Sequence, residues 1–231
     1  MHLILVPGFW LDASSWDEVV PSLRESGHTV VALTLPGLES TSSDRRTIGL
    51  RHHVAAVIDA IDSTAGPVVL VGHSGGGPIA YAAADARPER VSRLVFVDTW
   101  PNGPGRCIND ELPVVDGEIP LPDWSVFEEE DLVDMTDALR AMLRERAIPQ
   151  PAAVASDPQV LGDPRRLDIP ATVIACEFSA EQLRGWMANG AAALQELASM
   201  SRVDYVDLPT GHWPQFTKPR ELAAAIVRAI A

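Results

Sequence analysis

The residues with the clearest capacity for chemistry in this 231-residue chain lie at positions 72–76 and read GHSGG. Four apolar residues at 68–71 precede them, and an alanine-rich segment follows. This pattern predicts a buried strand, a tight turn and a helix in direct succession. The same order is required by a G-x-S-x-G nucleophile elbow, where the serine lies at the apex of a strained turn. Ser74 is therefore the candidate nucleophile.

The glycines around Ser74 are explained by the geometry of such a turn. The positions that flank the serine must be small because neighbouring backbone crowds them, and Gly72 and Gly76 occupy those positions. The N–H of Gly75, at the start of the predicted helix, would point at an oxyanion formed on a carbonyl that Ser74 attacks. The alternative is a phosphate-binding turn, but neither G-x-G-x-x-G nor the lysine-bearing P-loop pattern is present.

Composition limits the classes of function. With 46% hydrophobic residues, the chain can bury a sizeable core, and we expect one domain over residues 1–231. Its 18 basic and 32 acidic residues give a net charge of −14, which argues against nucleic acid or anionic membrane as the main partner.

Cysteine usage and the start of the chain point to the compartment. Cys107 and Cys176 are far apart and lack histidines at ligand spacing, so we expect neither a disulfide nor a metal site. No basic leader precedes the first apolar run, and no later run is long enough to span a membrane. We therefore expect a cytoplasmic protein.

Nearly continuous apolar runs alternate with helical patterns along the chain, which predicts a parallel sheet covered on both faces. The predicted strands are 3–6, 29–35, 68–71, 94–97, 171–175 and 203–208. The predicted helices are 13–25, 49–63, 78–87, 128–146, 180–200 and 218–230. Residues 100–168 are rich in proline and acidic residues, and we interpret them as an inserted cap.

Three motifs together resemble the α/β-hydrolase superfamily, and the resemblance covers nearly the whole chain. They are the loop at 6–10, where the family usually has His-Gly, the elbow at 72–76, and Gly211-His212-Trp213 after the last strand. Because no strand pair precedes 3–6, the chain resembles the compact branch of plant methylesterases and hydroxynitrile lyases. The fold this implies is α/β, with a mostly parallel six-stranded sheet, helices on both faces and a small inserted cap.

His212 is the general base that the resemblance implies, and a neutral imidazole has suitable basicity near pH 7. Considered without the elbow, it would be interpreted as a surface-loop histidine. We expect the other histidines to be structural or solvated: His2, His28, His52, His53 and His73.

The triad acid departs from the family pattern. Many members carry an aspartate a few residues beyond the strand that is here 171–175, but Phe178 and Ser179 stand near that place. Two substitutes remain, Asp98 after strand 94–97 and Glu177 after strand 171–175. Both preserve the order serine, acid, histidine. Asp98 is the preferred acid, because its side chain is the shorter one usual in this role, and Glu177 is the alternative.

The resemblance also implies a second oxyanion donor and a substrate pocket. Phe9 should supply the second N–H, with Gly75 giving the first. Four tryptophans fall on segments expected to meet above the elbow, where they would shape an apolar pocket or pack in the core. They are Trp10, Trp100, Trp124 and Trp213.

The resulting functional hypothesis is a serine hydrolase, without cofactor or metal, that cleaves a small carboxylic ester, a lactone or a thioester through an acyl-enzyme. Its partner would be the small-molecule ester. One alternative keeps the site but changes the reaction to that of a hydroxynitrile lyase or C–C bond hydrolase. The other is a hydrolase-like receptor that binds a ligand with little turnover.

Overall fold

The computed structural model describes all of residues 1–231. Its eight strands are, in chain order, β1 (His2–Val6), β2 (Thr29–Ala32), β3 (Val68–His73), β4 (Val91–Val97), β5 (Glu118–Ile119), β6 (Gln150–Pro151), β7 (Ala171–Ala175) and β8 (Val203–Asp207). Six of them form one sheet in the order β2-β1-β3-β4-β7-β8, and every pair in it is parallel. The other two strands, β5 and β6, form a short antiparallel pair. The predicted fold class is confirmed.

Nine α-helices accompany the strands: α1 (Val20–Glu25), α2 (Leu50–Asp62), α3 (Gly76–Ala86), α4 (Asp137–Arg146), α5 (Ala152–Ser156), α6 (Ala180–Ala188), α7 (Gln195–Ser199), α8 (Pro214–Thr217) and α9 (Pro219–Ile230). Helices α1 and α9 pack on one face of the sheet, and α2 and α3 pack on the other. None of the helices combines the length and apolar composition needed to cross a membrane.

The alternating direction of side chains along the central strands explains why helices cover both faces of the sheet. In β1, Leu3 and Leu5 belong to the core cluster beneath α1 and α9, whereas Ile4 and Val6 belong to the larger cluster beneath α2 and α3. Successive side chains of a strand point to opposite faces, so an uninterrupted apolar run needs a helical layer on each side.

Several predicted elements are shorter than expected. The helix predicted at 13–25 is divided into a 3-10 turn, Ala13–Trp16, and α1, because Pro21 is accommodated only in the first turn of a helix. The helix predicted at 180–200 ends at Ala188, and Gly190, at φ 75°, turns the chain. The strand predicted at 29–35 ends at Ala32.

The inserted segment, residues 98–170 between β4 and β7, contains β5, β6, α4 and α5. The helix predicted at 128–146 begins only at Asp137, where the Thr136 side chain accepts the N–H of Leu139 as a cap. Trp10 Nε1, in the loop after β1, donates to the Ile119 carbonyl at 3.0 Å, and Ile148 N donates to the Trp10 carbonyl at 3.0 Å. These bonds hold the segment against the carboxyl ends of the strands.

A buried ionic cluster ties the end of this segment to the helix that follows the elbow. Arg166 Nε lies 2.9 Å from Glu196 Oε1, and Arg166 Nη1 lies 3.3 Å from Asp85 Oδ1 on α3. Tyr81, also on α3, donates its hydroxyl to Glu196 at 2.7 Å. The side chains of Asp85 and Glu196 are each only 10% exposed, so without Arg166 two negative charges would be buried with no cation beside them.

Replacing Arg166 by alanine should destabilise the fold by about 3 to 5 kcal/mol, because it leaves two buried carboxylates without their cation. Arg165→Ala is the matched control, since the Arg165 side chain is 65% exposed and its ion pairs are at the surface. That change should cost about 1 kcal/mol or less. Urea denaturation of both variants measures the difference, and equal midpoints would contradict this account of the cluster.

Candidate active site

The chemically capable side chains lie at one edge of the sheet. Ser74 follows β3, Asp98 follows β4, Glu177 comes shortly after β7, and His212 lies in the loop after β8. Because all six strands of this sheet run parallel, their carboxyl ends meet at the same edge. Residues far apart in the chain thereby come into contact, as is usual for sites in open α/β sheets.

The elbow is a strained turn enclosed by backbone. Ser74 has φ 50°, a left-handed conformation that non-glycine residues seldom adopt. A Cβ on Gly72 would lie 2.6 Å from the Gly76 carbonyl oxygen, and one on Gly76 would lie 2.4 Å from the Pro7 carbonyl oxygen. Both flanking positions therefore have to be glycine, for the reason the sequence pattern indicated.

His212 connects the serine to an acid. Its Nε2 lies 2.8 Å from Ser74 Oγ, and its Nδ1 lies 2.8 Å from Asp98 Oδ2. A carboxylate only accepts hydrogen bonds, so the neutral ring carries its proton on Nδ1 and donates it to Asp98. Nε2 is then free to accept the hydroxyl proton of Ser74. This arrangement can activate a serine for attack on a carbonyl.

A second carboxylate reaches the same imidazole nitrogen. Glu177 Oε2 lies 3.1 Å from His212 Nδ1, so both acids considered from the sequence contact the histidine. They differ in burial, since the Asp98 carboxylate is fully buried and that of Glu177 is 25% exposed. Asp98 Oδ1 also accepts the N–H groups of Cys176 and Glu177, at 2.9 and 3.1 Å. Asp98 is thus the more rigidly held of the two.

The paired carboxylates change the acidity of the histidine. Burial by itself lowers the pKa of His212, but the hydrogen bonds to Asp98 and Glu177 outweigh burial and raise it. Asp131 lies beside Glu177 in the segment between β4 and β7. Its pKa is raised to about 6, mainly by burial and further by Glu177.

Asp98, Glu177 and His212 are also the one group of acidic and histidine side chains whose ligand atoms lie close enough to hold a metal ion, within 4.8 Å of one another. In the structure these atoms are hydrogen-bonded to one another through His212 Nδ1.

Backbone from the inserted segment supports the histidine loop. His212 N donates to the Asp131 carbonyl at 2.8 Å, and Gly211 N donates to the Val133 carbonyl at 3.0 Å. A Cβ on Gly211 would lie 2.2 Å from the Asp131 oxygen. The glycine is therefore required by the close approach of this segment, and the segment in turn fixes the position of His212.

His73 provides a second support for the loop that carries His212, and the sequence analysis did not predict this contact. It is fully buried, and burial lowers its pKa to about 3, so the ring is neutral. Its Nε2–H donates to the His212 carbonyl at 2.6 Å. The elbow and the histidine loop are thus joined by a direct hydrogen bond in addition to the one from Ser74.

Phe9 and Gly75, the expected oxyanion donors, lie next to each other in the wall of the cavity that contains Ser74. The Phe9 ring packs on Gly75, where a Cβ would lie 2.5 Å from a ring carbon. Neither backbone N–H donates to an acceptor within the protein. Both residues line the same cavity as Ser74, so these amides are available to a ligand oxygen there.

A cavity of about 510 Å³ opens above Ser74 and His212, and of the four tryptophans considered for the pocket only Trp10 and Trp100 line it. Trp124 and Trp213 do not line it. They pack edge to face at 5.7 Å and enclose Phe127, which takes their place in the cavity wall. The pocket assignment is corrected for these two residues, because their rings pack against each other and against Phe127 instead of lining the cavity.

The sequence profile of the Alpha/beta hydrolase family matches residues 3–225 of this chain. Among curated proteins, Esterase PIR7B of Oryza sativa subsp. japonica is 34% identical over 100 residues, covering 42% of this chain and 37% of that protein. Methylesterase 8 of Arabidopsis thaliana is 38% identical over 104 residues, covering 43% of this chain and 38% of that protein. The matched parts thus span less than half of either relative's length.

Solved structures share the fold over the full chain. An extracellular alpha/beta-hydrolase from a Paenibacillus species superposes with a TM-score of 0.80 at 21% identity, covering 99% of this chain and 98% of that one. At this level of identity the similarity concerns the fold.

Gly211→Ala should slow the reaction of Ser74 with a fluorophosphonate by about tenfold or more, because displacing His212 by a fraction of an ångström disturbs the hydrogen bond that activates the serine. Gly185→Ala is the control, since it lies in α6 with no atom within 4 Å of an added Cβ. The control should label at the rate of the unmodified protein. Equal labelling rates for both variants would show that the inserted segment does not position His212.

Proposed function

Because this chain belongs to the alpha/beta hydrolase family, we propose that it is a serine hydrolase that cleaves a small carboxylic ester, a lactone or a thioester through an acyl-enzyme. The observation that carries the proposal is the continuous contact from Ser74 Oγ through His212 to Asp98, with 2.8 Å at each step. The rice esterase and the Arabidopsis methylesterase, both similar to this chain, support ester hydrolysis at the level of the family.

Acylation begins with attack of Ser74 Oγ on the ester carbonyl. His212 Nε2 takes the hydroxyl proton, and the Nδ1–H bonds to Asp98 and Glu177 stabilise the imidazolium that forms. The negative charge that develops on the carbonyl oxygen is stabilised by the N–H groups of Phe9 and Gly75. His212 then returns the proton to the departing alcohol.

Deacylation uses the same groups in the second half of the reaction. Water enters the site, His212 Nε2 removes one of its protons, and the resulting hydroxide attacks the acyl carbonyl. When the tetrahedral intermediate collapses, the bond from the acyl carbon to Ser74 Oγ breaks, His212 returns its proton to Ser74 Oγ, and the carboxylic acid is released. His212, which would activate this water, lines the cavity, and its side chain is 19% exposed.

The two other hypotheses predict different behaviour of the same cavity. A lyase or C–C bond hydrolase would use Ser74 and His212 on a substrate without an ester, and a receptor would bind its ligand without repeated turnover. The two oxyanion-type amides and the activated serine favour acyl transfer over binding alone. Multiple turnovers of a short-chain p-nitrophenyl ester separate the hydrolase from the receptor, and a burst of a single equivalent would support the receptor.

Ser74→Ala should abolish fluorophosphonate labelling and lower kcat for a short-chain ester by about 10³-fold or more, because the nucleophile is lost. Circular dichroism and thermal unfolding check that the variant is folded. Ser15→Ala is a control at a buried serine of the 3-10 turn Ala13–Trp16, outside the cavity, and should retain labelling. Unchanged turnover by Ser74→Ala would exclude the mechanism.

The two acids should contribute unequally. Asp98→Asn should lower kcat by about 10²-fold to 10⁴-fold, because the buried acid that fixes the tautomer of His212 is replaced by a neutral amide. Glu177→Gln should cost about tenfold or less, since Asp98 still accepts the Nδ1–H. The double variant measures their coupling, and a larger loss in Glu177→Gln than in Asp98→Asn would reverse the assignment.

The pH profile gives a second measure of the same contacts. Catalysis needs neutral His212, and its raised pKa should place the acid limb of kcat/KM above the value near 6.5 that is ordinary for histidine. Glu177→Gln removes one of the two anionic partners, so the limb should move to lower pH. A limb that stays in place would show that Glu177 does not interact with His212 in solution.

A further inference from the structure

The cavity above Ser74 is lined by acidic groups without any lysine or arginine. Four of its lining residues are acidic, and His212 is the only basic residue in the lining. The acidic residues are Asp98, Glu111, Asp131 and Glu177. A pocket lined mainly by charges of one sign focuses the electrostatic potential into its interior.

The four acidic groups come from two parts of the cavity wall. Asp98 and Glu177 contact His212 at the bottom of the cavity. Asp131 and Glu111 belong to the inserted segment, the first half-buried beside Glu177 and the second exposed at the opening. Burial, and to a lesser degree the neighbouring Glu177, raises the pKa of Asp131 to about 6.

Nearby cations of the inserted segment are directed elsewhere. Arg144 donates to the carbonyl groups of Leu121 and Pro122, and Arg146 donates to Ser14. Arg140 donates to the Met135 carbonyl. None of these side chains lines the cavity, so none can bind a carboxylate within it.

Apart from Ser74 and three uncharged polar residues, Thr99, Asn102 and Asn109, the rest of the wall is apolar. It includes Phe9, Trp10, Trp100, Ile108, Leu112 and Phe127, which suit an uncharged hydrocarbon or aromatic group. The cavity thus combines an apolar surface with acidic groups.

We propose that the cavity selects esters whose acyl and alcohol groups are uncharged or cationic, that it excludes anionic esters, and that it repels the carboxylate product. This inference rests on the proposed function. Hydrolysis of a neutral ester consumes one water and yields an alcohol and a carboxylic acid, which loses its proton near neutral pH. Repulsion therefore acts on the product but not on the substrate, and it favours product release.

Three aryl butyrates that differ only in the para substituent test this selection: a carboxamide, a carboxylate and a trimethylammonium group. After correction for their rates of alkaline hydrolysis, kcat/KM for the carboxamide should exceed that for the carboxylate by about tenfold or more, because like charges in a confined site repel. The trimethylammonium ester should equal or exceed the carboxamide. As product analogues, 4-phenylbutyrate should inhibit more weakly than its neutral isostere 4-phenylbutyramide.

Charge-removing variants connect the selection to the cavity. Glu111→Gln and Asp131→Asn should each reduce the ratio of carboxamide to carboxylate several-fold, and salt should reduce it too. Glu130→Gln makes the same charge change at an exposed residue outside the cavity, and should leave the ratio unchanged. The ratio is taken within one variant, so it does not depend on the folded fraction.

The outcomes separate the two proposals. Equal kcat/KM for all three esters, or a ratio that neither cavity variant changes, would overturn the charge selection and leave the hydrolase function standing. Absence of turnover with all three would overturn the function and the selection together.

Discussion

Two carboxylates share one imidazole nitrogen in this protein, and much of the surrounding structure holds them there. Asp98 and Glu177 repel each other, so each needs compensating donors. Asp98 accepts two backbone N–H groups in addition to His212, and one of them is the N–H of Glu177 itself. Asp98 has a strained backbone conformation at this position, since its φ is 52°. The backbone that follows β4 and β7 therefore determines where the two acids lie.

Strand order explains why the two acids meet. β4 and β7 are neighbours in the sheet although the inserted segment separates them along the chain, and β3 and β8 flank them. The serine therefore approaches the acids from one side and the histidine from the other. The sequence identified both acids by their places at strand ends and favoured Asp98 for its shorter side chain. It did not predict that both contact one imidazole nitrogen, because strand adjacency is a tertiary property.

Local patterns predicted the parts of the site that local structure determines. The elbow and the six strands were predicted because glycine spacing and apolar runs act over a few residues. The beginning of α4 was predicted too early, because residues before Asp137 bond to the loop at 211–212 instead of forming a helix. The support given by His73 and the position of Asp131 beside Glu177 depend on contacts between distant segments, and no sequence pattern marked them.

The second carboxylate has an effect on catalysis that changes sign with pH. By raising the pKa of His212, Glu177 makes the imidazole a stronger base, but it also reduces the neutral fraction of the imidazole at a given pH. Below that pKa the loss of neutral base dominates, and above it the gain in basicity remains. The sign of the Glu177 contribution to the rate therefore depends on the pH relative to the pKa of His212.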